Sequence, residues 1–410
     1  FVAGSMGPSG FLPSTNDPSL GNMTYAELVD VFAEQATGLV EGGVDVLLIE
    51  TSQDMLEVKA QVTGIRKALA ALGRVDVAIQ AQVTLDTSSR MLLGTDIGAA
   101  ATVLEALRAD VIGLNCSTGP EHMREPVRWL AEHTALPISV IPNAGIPHNE
   151  GGVAVYPLTP EELADAHETF VKELGVSVVG GCCGTTPEHL RQVVDRVWGA
   201  EPAAREATPV PRVASAMTAY DIAQIPAPTL IGERVNTQGS RAVKRLLVDD
   251  DYEGVRDIAR GQVEGGAHLL DVCVALTERQ DEAHQMRTLV KLLAQSVETP
   301  LVIDTTEADV VRAALEQYPG RAVINSINLE NGRGRIDEVV PLALEHGAAL
   351  VALTIDEDGM AKTADRKVAI AKRIHEIVVD EYGLRPGDLI FDDLTFTLAT
   401  GDDEFRRSAL

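Results

Sequence analysis

Val40-Glu41-Gly42-Gly43-Val44-Asp45-Val46-Leu47-Leu48-Ile49-Glu50-Thr51 closes a helix on glycine, runs through an apolar strand and stops on a carboxylate. Glycine adopts the left-handed conformation that ends a helix at little cost and lets the chain turn back under the next strand. The device returns at Val263-Glu264-Gly265-Gly266-Ala267-His268-Leu269-Leu270, and more loosely at Glu173-Leu174-Gly175-Val176 and Glu345-His346-Gly347-Ala348. Any α/β fold reuses such a turn, so the echo speaks for shared local geometry before shared ancestry.

Outward from this stretch, short apolar runs alternate with amphipathic helical segments. In the first half the runs are Phe1–Ala3, Val44–Glu50, Val75–Val83, Val111–Asn115, Ile138–Ile141 and Val176–Gly180. In the second they are Thr229–Glu233, His268–Cys273, Leu301–Asp304, Ala322–Asn325, Leu350–Ile355 and Leu389–Asp392. Runs nearly continuous in Val, Ile and Leu are strands covered on both faces, which predicts parallel sheets with helical crossovers. Helix starts agree: Thr24 with Glu27 spells a capping box, and Thr159-Pro160-Glu161-Glu162 adds a proline at the first helical position.

A doubly wound sheet carries a Gly-rich phosphate loop after its first strand. Neither G-x-G-x-x-G nor G-K-[ST] occurs. The polar residues gather instead at the C-terminal ends of many strands, as barrels arrange them. The expected fold is α/β: two (β/α)8 TIM-type barrels in series, each incomplete at about six units. Residues 1–198 form the first, 228–410 the second, and the Ala/Pro-rich stretch 199–227 reads as a semi-extended linker without a strand. The start at Phe1 without Met and the finish in mid-pattern at Leu410 suggest a piece of a longer chain.

Composition excludes several classes. The 34 Lys and Arg face 61 Asp and Glu, a formal charge of -27, which argues against nucleic-acid or anionic-lipid surfaces. Hydrophobic residues at 45% are enough for sizeable cores, and no apolar run approaches the roughly 18 residues of a membrane helix. Four cysteines are too few for a disulfide framework, and the opening Phe1-Val2-Ala3-Gly4 shows no basic-then-apolar signal pattern. A cytoplasmic location is expected.

Three of those cysteines follow strands of the first half. Cys116 lies in Gly113-Leu114-Asn115-Cys116-Ser117-Thr118-Gly119-Pro120, and Cys182 and Cys183 in Gly180-Gly181-Cys182-Cys183-Gly184-Thr185-Thr186-Pro187. Adjacent strand residues point to opposite faces, so a shared target requires the flanking glycines to break the strand. Converging at a barrel mouth, three thiolates make a zinc site with one open position. Plain packing and a vicinal disulfide are the alternatives, since no C-x-x-C pair is present. Glu50 either pairs with an ammonium group or caps the next helix.

These motifs resemble the homocysteine-binding domain shared by zinc-dependent homocysteine S-methyltransferases and cobalamin-dependent methionine synthases. G-G-C-C-G-T-T-P and N-C-S-T-G-P carry the likeness, with Phe1-Val2-Ala3-Gly4-Ser5-Met6-Gly7-Pro8-Ser9-Gly10 and Ile141-Pro142-Asn143-Ala144-Gly145. The resemblance covers residues 1 to about 198, with the family's first two strands missing. It implies zinc on Cys116, Cys182 and Cys183, and homocysteine contacts at Glu50 and Asn143. Zinc holds a substrate thiol as its thiolate, the reactive form, and three anionic ligands keep electron density on that sulfur.

In the second half the strand ends read Gly232-Glu233-Arg234-Val235-Asn236, Leu270-Asp271-Val272-Cys273, Ile303-Asp304-Thr305-Thr306, Ile324-Asn325-Ser326 and Phe391-Asp392-Asp393. Carboxylates and amides without clustered bases suit a neutral ligand edge rich in N–H donors, such as a pterin. A single aspartate there equally suits a helix cap. The set resembles the pterin-binding barrel of methionine synthases and their folate- and corrinoid-linked relatives, through G-E-R-x-N and the N-S strand. The resemblance implies pterin contacts at Glu233, Asn236, Asp304, Asn325 and Asp392. Cys273 and Asp393 depart from it, standing where many relatives have Asn and Pro; Cys273 reads as a packing residue. The last two barrel strands are missing from the pattern.

The order of the two domains implies 5-methyltetrahydrofolate as methyl donor, homocysteine as acceptor, and methylcobalamin bound by a domain of the same full-length chain. N5 of the folate needs a proton as its methyl departs, and Asp304 with Asn325 are the candidates to organise it. A homocysteine methyltransferase fused to a folate-pathway reductase and a binding-only substrate module are the rival readings. No cobalamin-binding D-x-H-x-x-G occurs in this sequence.

Overall fold

The glycine doublets Gly42-Gly43 and Gly265-Gly266 do what their composition demands. In each doublet the second glycine carries the positive φ: +88° at Gly43 and +94° at Gly266. A side chain there would be strained, and the chain passes directly into the next parallel strand.

The computed structural model describes residues 1–395. They divide into two units, Phe1–Val210 with Ala216–Ala219, and Pro211–Ser215 with the chain from Tyr220 onward. The first unit holds β1 (Ala3–Met6), β2 (Val46–Ser52), β3 (Ala78–Val83), β4 (Val111–Asn115), β5 (Ile138–Ile141) and β6 (Val178–Val179). Every neighbouring pair is parallel and the spatial order follows the sequence. Helices α1 (Tyr25–Glu41), α2 (Met55–Leu72), α3 (Ile97–Ala106), α4 (Pro120–His133) and α5 (Pro160–Leu174) are the crossovers, and α6 (Pro187–Val197) follows β6. A doubly wound sheet reverses its strand order part-way; this one does not, which leaves an incomplete barrel.

The second unit repeats the plan with β7 (Ile231–Asn236), β8 (Leu269–Cys273), β9 (Leu301–Asp304), β10 (Val323–Ile327), β11 (Ala349–Leu353) and β12 (Leu389–Asp392). These too are parallel and in sequence order. Both expected capping boxes form: Glu27 Oε2 accepts from Thr24 N at 2.8 Å, and Glu162 Oε2 from Thr159 N at 2.8 Å.

Most strand ends shift by one to three residues from the sequence reading, and two differences bear on the fold. The first strand begins at Ala3 and not at Phe1, because pairing with Val46 starts there. The stretch expected to hold no strand carries an antiparallel pair, Arg212–Ala214 with Ala219–Asp221. Three-residue strands are too short to leave a pattern. Val213 is buried with Leu269, Val302, Val323 and Ala349, the opening residues of β8 to β11, so this strand plugs the N-terminal end of the second barrel.

Candidate functional site

β4 ends at Asn115, and the next two residues, Cys116 and Ser117, both have φ of 63°. Non-glycine residues seldom occupy that region, so two in succession mark a turn fixed by its surroundings. Cys116 N donates to Ile141 O at 3.1 Å. β6 stops at Val179, and Gly180-Gly181 lead the chain out of the strand before the paired cysteines. Cys182 N then donates to Pro142 O at 2.8 Å, Cys183 N to Asn143 Oδ1 at 3.1 Å, and Ala144 N to Cys183 O at 2.9 Å. At Gly184, φ is +77° and a Cβ would lie 2.1 Å from Tyr156 Cγ, so only glycine fits.

The loop geometry brings three sulfurs together. Cys116 Sγ lies 3.8 Å from Cys183 Sγ, Cys182 Sγ lies 3.9 Å from Cys183 Sγ, and all three fall within 4.8 Å of one another. They are free thiols, and the vicinal pair is not bonded. Tetrahedral zinc with bonds near 2.3 Å separates its sulfurs by about 3.8 Å. The donor set and spacing therefore fit a zinc ion. The Cys182 thiol donating to its sulfur holds Cys116 down to about 5, and the same bond pushes Cys182 up. Three thiolates this close ionise together only beside a cation.

Side chains around the thiols take defined positions. Asn143 is buried, with its Oδ1 engaged by Cys183 N. Glu50, two residues before the end of β2, accepts from Ser5 Oγ. Its neighbour Thr51 exchanges two 2.8 Å hydrogen bonds with Asn115, whose Nδ2 lies 4.0 Å from Cys182 Sγ. The loop after β1 is fastened to α2: Ser9 N donates to Glu57 Oε1 at 2.7 Å, and Ser14 Oγ to Asp54 Oδ1 at 2.6 Å. Burial pushes both carboxyls up.

Asn115, Tyr156 and His167 join the site only in three dimensions. Asn115 was legible as the residue before a strand-end cysteine. Tyr156 packs against Gly184, and burial followed by the Cys183 sulfur pushes its phenol up. His167 sits inside α5 with nothing in the local pattern to mark it.

In the second unit the polar strand ends converge on one amide. Asn236 Nδ2 donates to Asp271 Oδ2 at 2.7 Å and to Asp304 Oδ2 at 2.8 Å, while its Oδ1 accepts from Gln238 N at 2.8 Å. Burial, with the charges of Asp304 and Glu233 behind it, pushes Asp271 up to about 6 against the opposing hydrogen bonds from Asn236 and Asn325. Burial and then the Glu233 charge push Asp304 up as well. Asn325 is the register partner of Asp304. The helix after β9, Ala308–Leu315, takes Glu307 as its N-cap, so Asp304 does not cap it.

Asp271 is one polar strand residue among several in the sequence; its central place shows only in three dimensions. Asp392 stands exposed at the end of β12, with Oδ1 accepting from Leu394 N at 2.8 Å, and Asp393 beside it is exposed. Cys273 is buried, its sulfur accepting from Thr237 Oγ1 at 3.7 Å, apart from the three-thiol group.

Comparison with known proteins matches each half of the chain to a family. Residues 1–197 match the homocysteine S-methyltransferase family, and residues 232–410 match the pterin binding enzymes. The chain joins a homocysteine S-methyltransferase domain to a pterin-binding domain. Over its whole length it is 45% identical to the methionine synthase of Mycobacterium tuberculosis and 44% identical to that of Mycobacterium leprae. It spans about a third, 34%, of the length of each of those relatives. The apo homocysteine methyltransferase MmuM of Escherichia coli is 23% identical across 48% of this chain and 62% of its own, with a TM-score of 0.36, too slight a likeness to argue from. The three thiols thus lie in the homocysteine S-methyltransferase domain and the Asn236 cluster in the pterin-binding domain. No helix among the described residues is long and apolar enough to cross a membrane.

Proposed function

We propose that the chain is the substrate-holding part of a cobalamin-dependent methionine synthase. Its first domain holds homocysteine, its second holds 5-methyltetrahydrofolate, and the methyl group passes by way of cobalamin bound elsewhere in the whole protein. The observation that carries this reading is the three sulfurs within 4.8 Å of one another in a domain that precedes a pterin-binding domain.

Cys116, Cys182 and Cys183 would hold zinc. Bound zinc supplies an open position at which a thiol substrate is kept as its thiolate. Asn143 fixes the Cys183 peptide, and Glu50 offers a carboxylate to the substrate ammonium group. In the second domain Glu233, Asn236, Asp304, Asn325 and Asp392 form the pterin site. Asn236 orients the Asp304 carboxylate, which accepts from N–H groups of the pterin edge. As the methyl leaves, N5 keeps the bonding electron pair and takes up a proton, which Asp304 and Asn325 organise through water.

Calorimetric titration of the zinc-loaded chain tests the reading. Homocysteine and 5-methyltetrahydrofolate should both bind, and a chelator should abolish only the first. Equal homocysteine affinity with and without metal defeats the zinc-thiolate reading, and absence of folate binding defeats the pterin assignment.

A further inference from the structure

His167 is fully buried, at 0% exposure, yet it is a polar residue on the inner face of α5. Its Nε2 lies 2.8 Å from Gly180 O. A carbonyl only accepts, so Nε2 carries the proton and Nδ1 is the bare nitrogen. Nδ1 is buried without a hydrogen-bond partner. Leaving a buried acceptor unpaired is unfavourable, and a phenylalanine or methionine would fill the same volume without that defect. The imidazole therefore has a use, and its bond to Gly180 is where that use lies.

Gly180 is the first residue after β6 and stands two residues before Cys182. The groups beyond it are held from the side of the segment after β5: Cys182 N by Pro142 O, Cys183 N by Asn143 Oδ1 and Cys183 O by Ala144 N. Cys182 O is held within the loop, by Thr185 N at 3.2 Å and Thr185 Oγ1 at 2.7 Å. Gly180 has no side chain to restrict its peptide plane. The bond from His167 fixes that plane from the helix side.

We propose that His167 is a positioning residue of the metal centre: its Nε2–H bond to Gly180 O sets the direction in which the chain leaves β6, and thereby the placement of Cys182 and Cys183 against Cys116. The proposal rests on the reading of these thiols as zinc ligands. Residues that orient a metal's ligands from behind typically change metal affinity by about 10- to 100-fold when removed.

The test is zinc affinity of the purified chain, measured by competition with a chromogenic chelator, for wild type, His167→Gln and His167→Phe. Gln reaches a similar distance and keeps an N–H donor; Phe keeps the volume and loses the donor. Zinc binding should weaken about ten-fold or more in His167→Phe and stay close to wild type in His167→Gln. Metal-free His167→Phe exchanges one unpaired acceptor, Nδ1, for another, Gly180 O, so it should melt close to metal-free wild type. Wild-type zinc affinity in His167→Phe overturns the proposal, as does an equal loss in both variants. Should His167→Phe not fold, His167→Met carries the same comparison. A wild-type chain that takes up no zinc removes the metal reading, and this proposal with it.

Discussion

The Asn236 amide donates to Asp304 Oδ2 at 2.8 Å, which ties one oxygen of that carboxylate and fixes the plane of the other. The same nitrogen donates to Asp271, so both its hydrogens are engaged by carboxylates. Asn236 is thereby an orienting group, and Asp304 Oδ1 is the oxygen left to a ligand.

Asp304→Asn should then weaken 5-methyltetrahydrofolate binding roughly ten- to a hundred-fold. The substituted amide turns its oxygen to Asn236 and its NH2 to the ligand, so donors face the N–H donors of the pterin edge. Losing a charge-assisted acceptor typically costs about 1.5–3 kcal/mol, which is that range of affinity. Calorimetry on both proteins measures it, with homocysteine binding as the unaffected control. An unchanged folate affinity would take Asp304 out of the site.

Asp271 should make stability pH-dependent. Its folded carboxyl is pushed up to about 6 from 3.8, so between those values the folded state binds more protons than the unfolded one. Stability contributed by this group is present below that window and is lost as pH rises through it. Asp271→Asn keeps an acceptor for Asn236 and removes the buried charge. The variant should be the more stable protein at pH 8, by on the order of 1–3 kcal/mol, with a smaller advantage at pH 5. Denaturant melts at the two values decide it; an equal difference at both rejects the assignment.

The strands and the metal candidates were legible for a physical reason. Buried parallel strands have to be apolar throughout, so polar residues at or just past their ends stand out, as Cys116, Cys182, Asp304 and Asn325 do. His167 and Asp271 do not. One lies within an amphipathic helix and the other inside an apolar strand, and each acts through a partner far away in sequence: Gly180 is 13 residues from His167, and Asn236 is 35 from Asp271. The strand at Arg212–Ala214 is hidden because it and its neighbour Ala219–Asp221 are three residues each, and what buries it, the barrel strand starts and Arg321, lies far away in sequence.

Tyr318→Phe tests that plug. The buried phenol accepts from Leu301 N at 3.2 Å and donates to Ala214 O at 3.0 Å, joining β9 to the Arg212–Ala214 strand. Phenylalanine keeps the ring and takes the partner from Leu301 N, while Ala214 O keeps its second donor, Arg321 N at 2.9 Å; one unsatisfied buried group costs about 1–3 kcal/mol. The variant should lose at least about 1 kcal/mol in a denaturant melt. A loss within error would mean that the plug contributes nothing to the barrel.

Zinc content separates the three clustered thiols from the fourth. Wild type should retain about one zinc per chain after dialysis, in keeping with a single group of clustered cysteines among the described residues. Serine at Cys116, Cys182 or Cys183 replaces a readily ionised sulfur by a hydroxyl that stays protonated at neutral pH, leaving two thiolates where three are needed. Each of those variants should lose most of its metal. Cys273→Ser should keep it, because Cys273 is buried in the other unit and its sulfur accepts from Thr237 Oγ1, which a serine oxygen also does. Packing alone predicts the opposite ranking: the buried Cys273 would be the sensitive position, and the exposed Cys183 would tolerate serine. Metal analysis of the four purified variants distinguishes the two, and zinc in Cys182→Ser equal to wild type would show that the sulfurs cluster without binding.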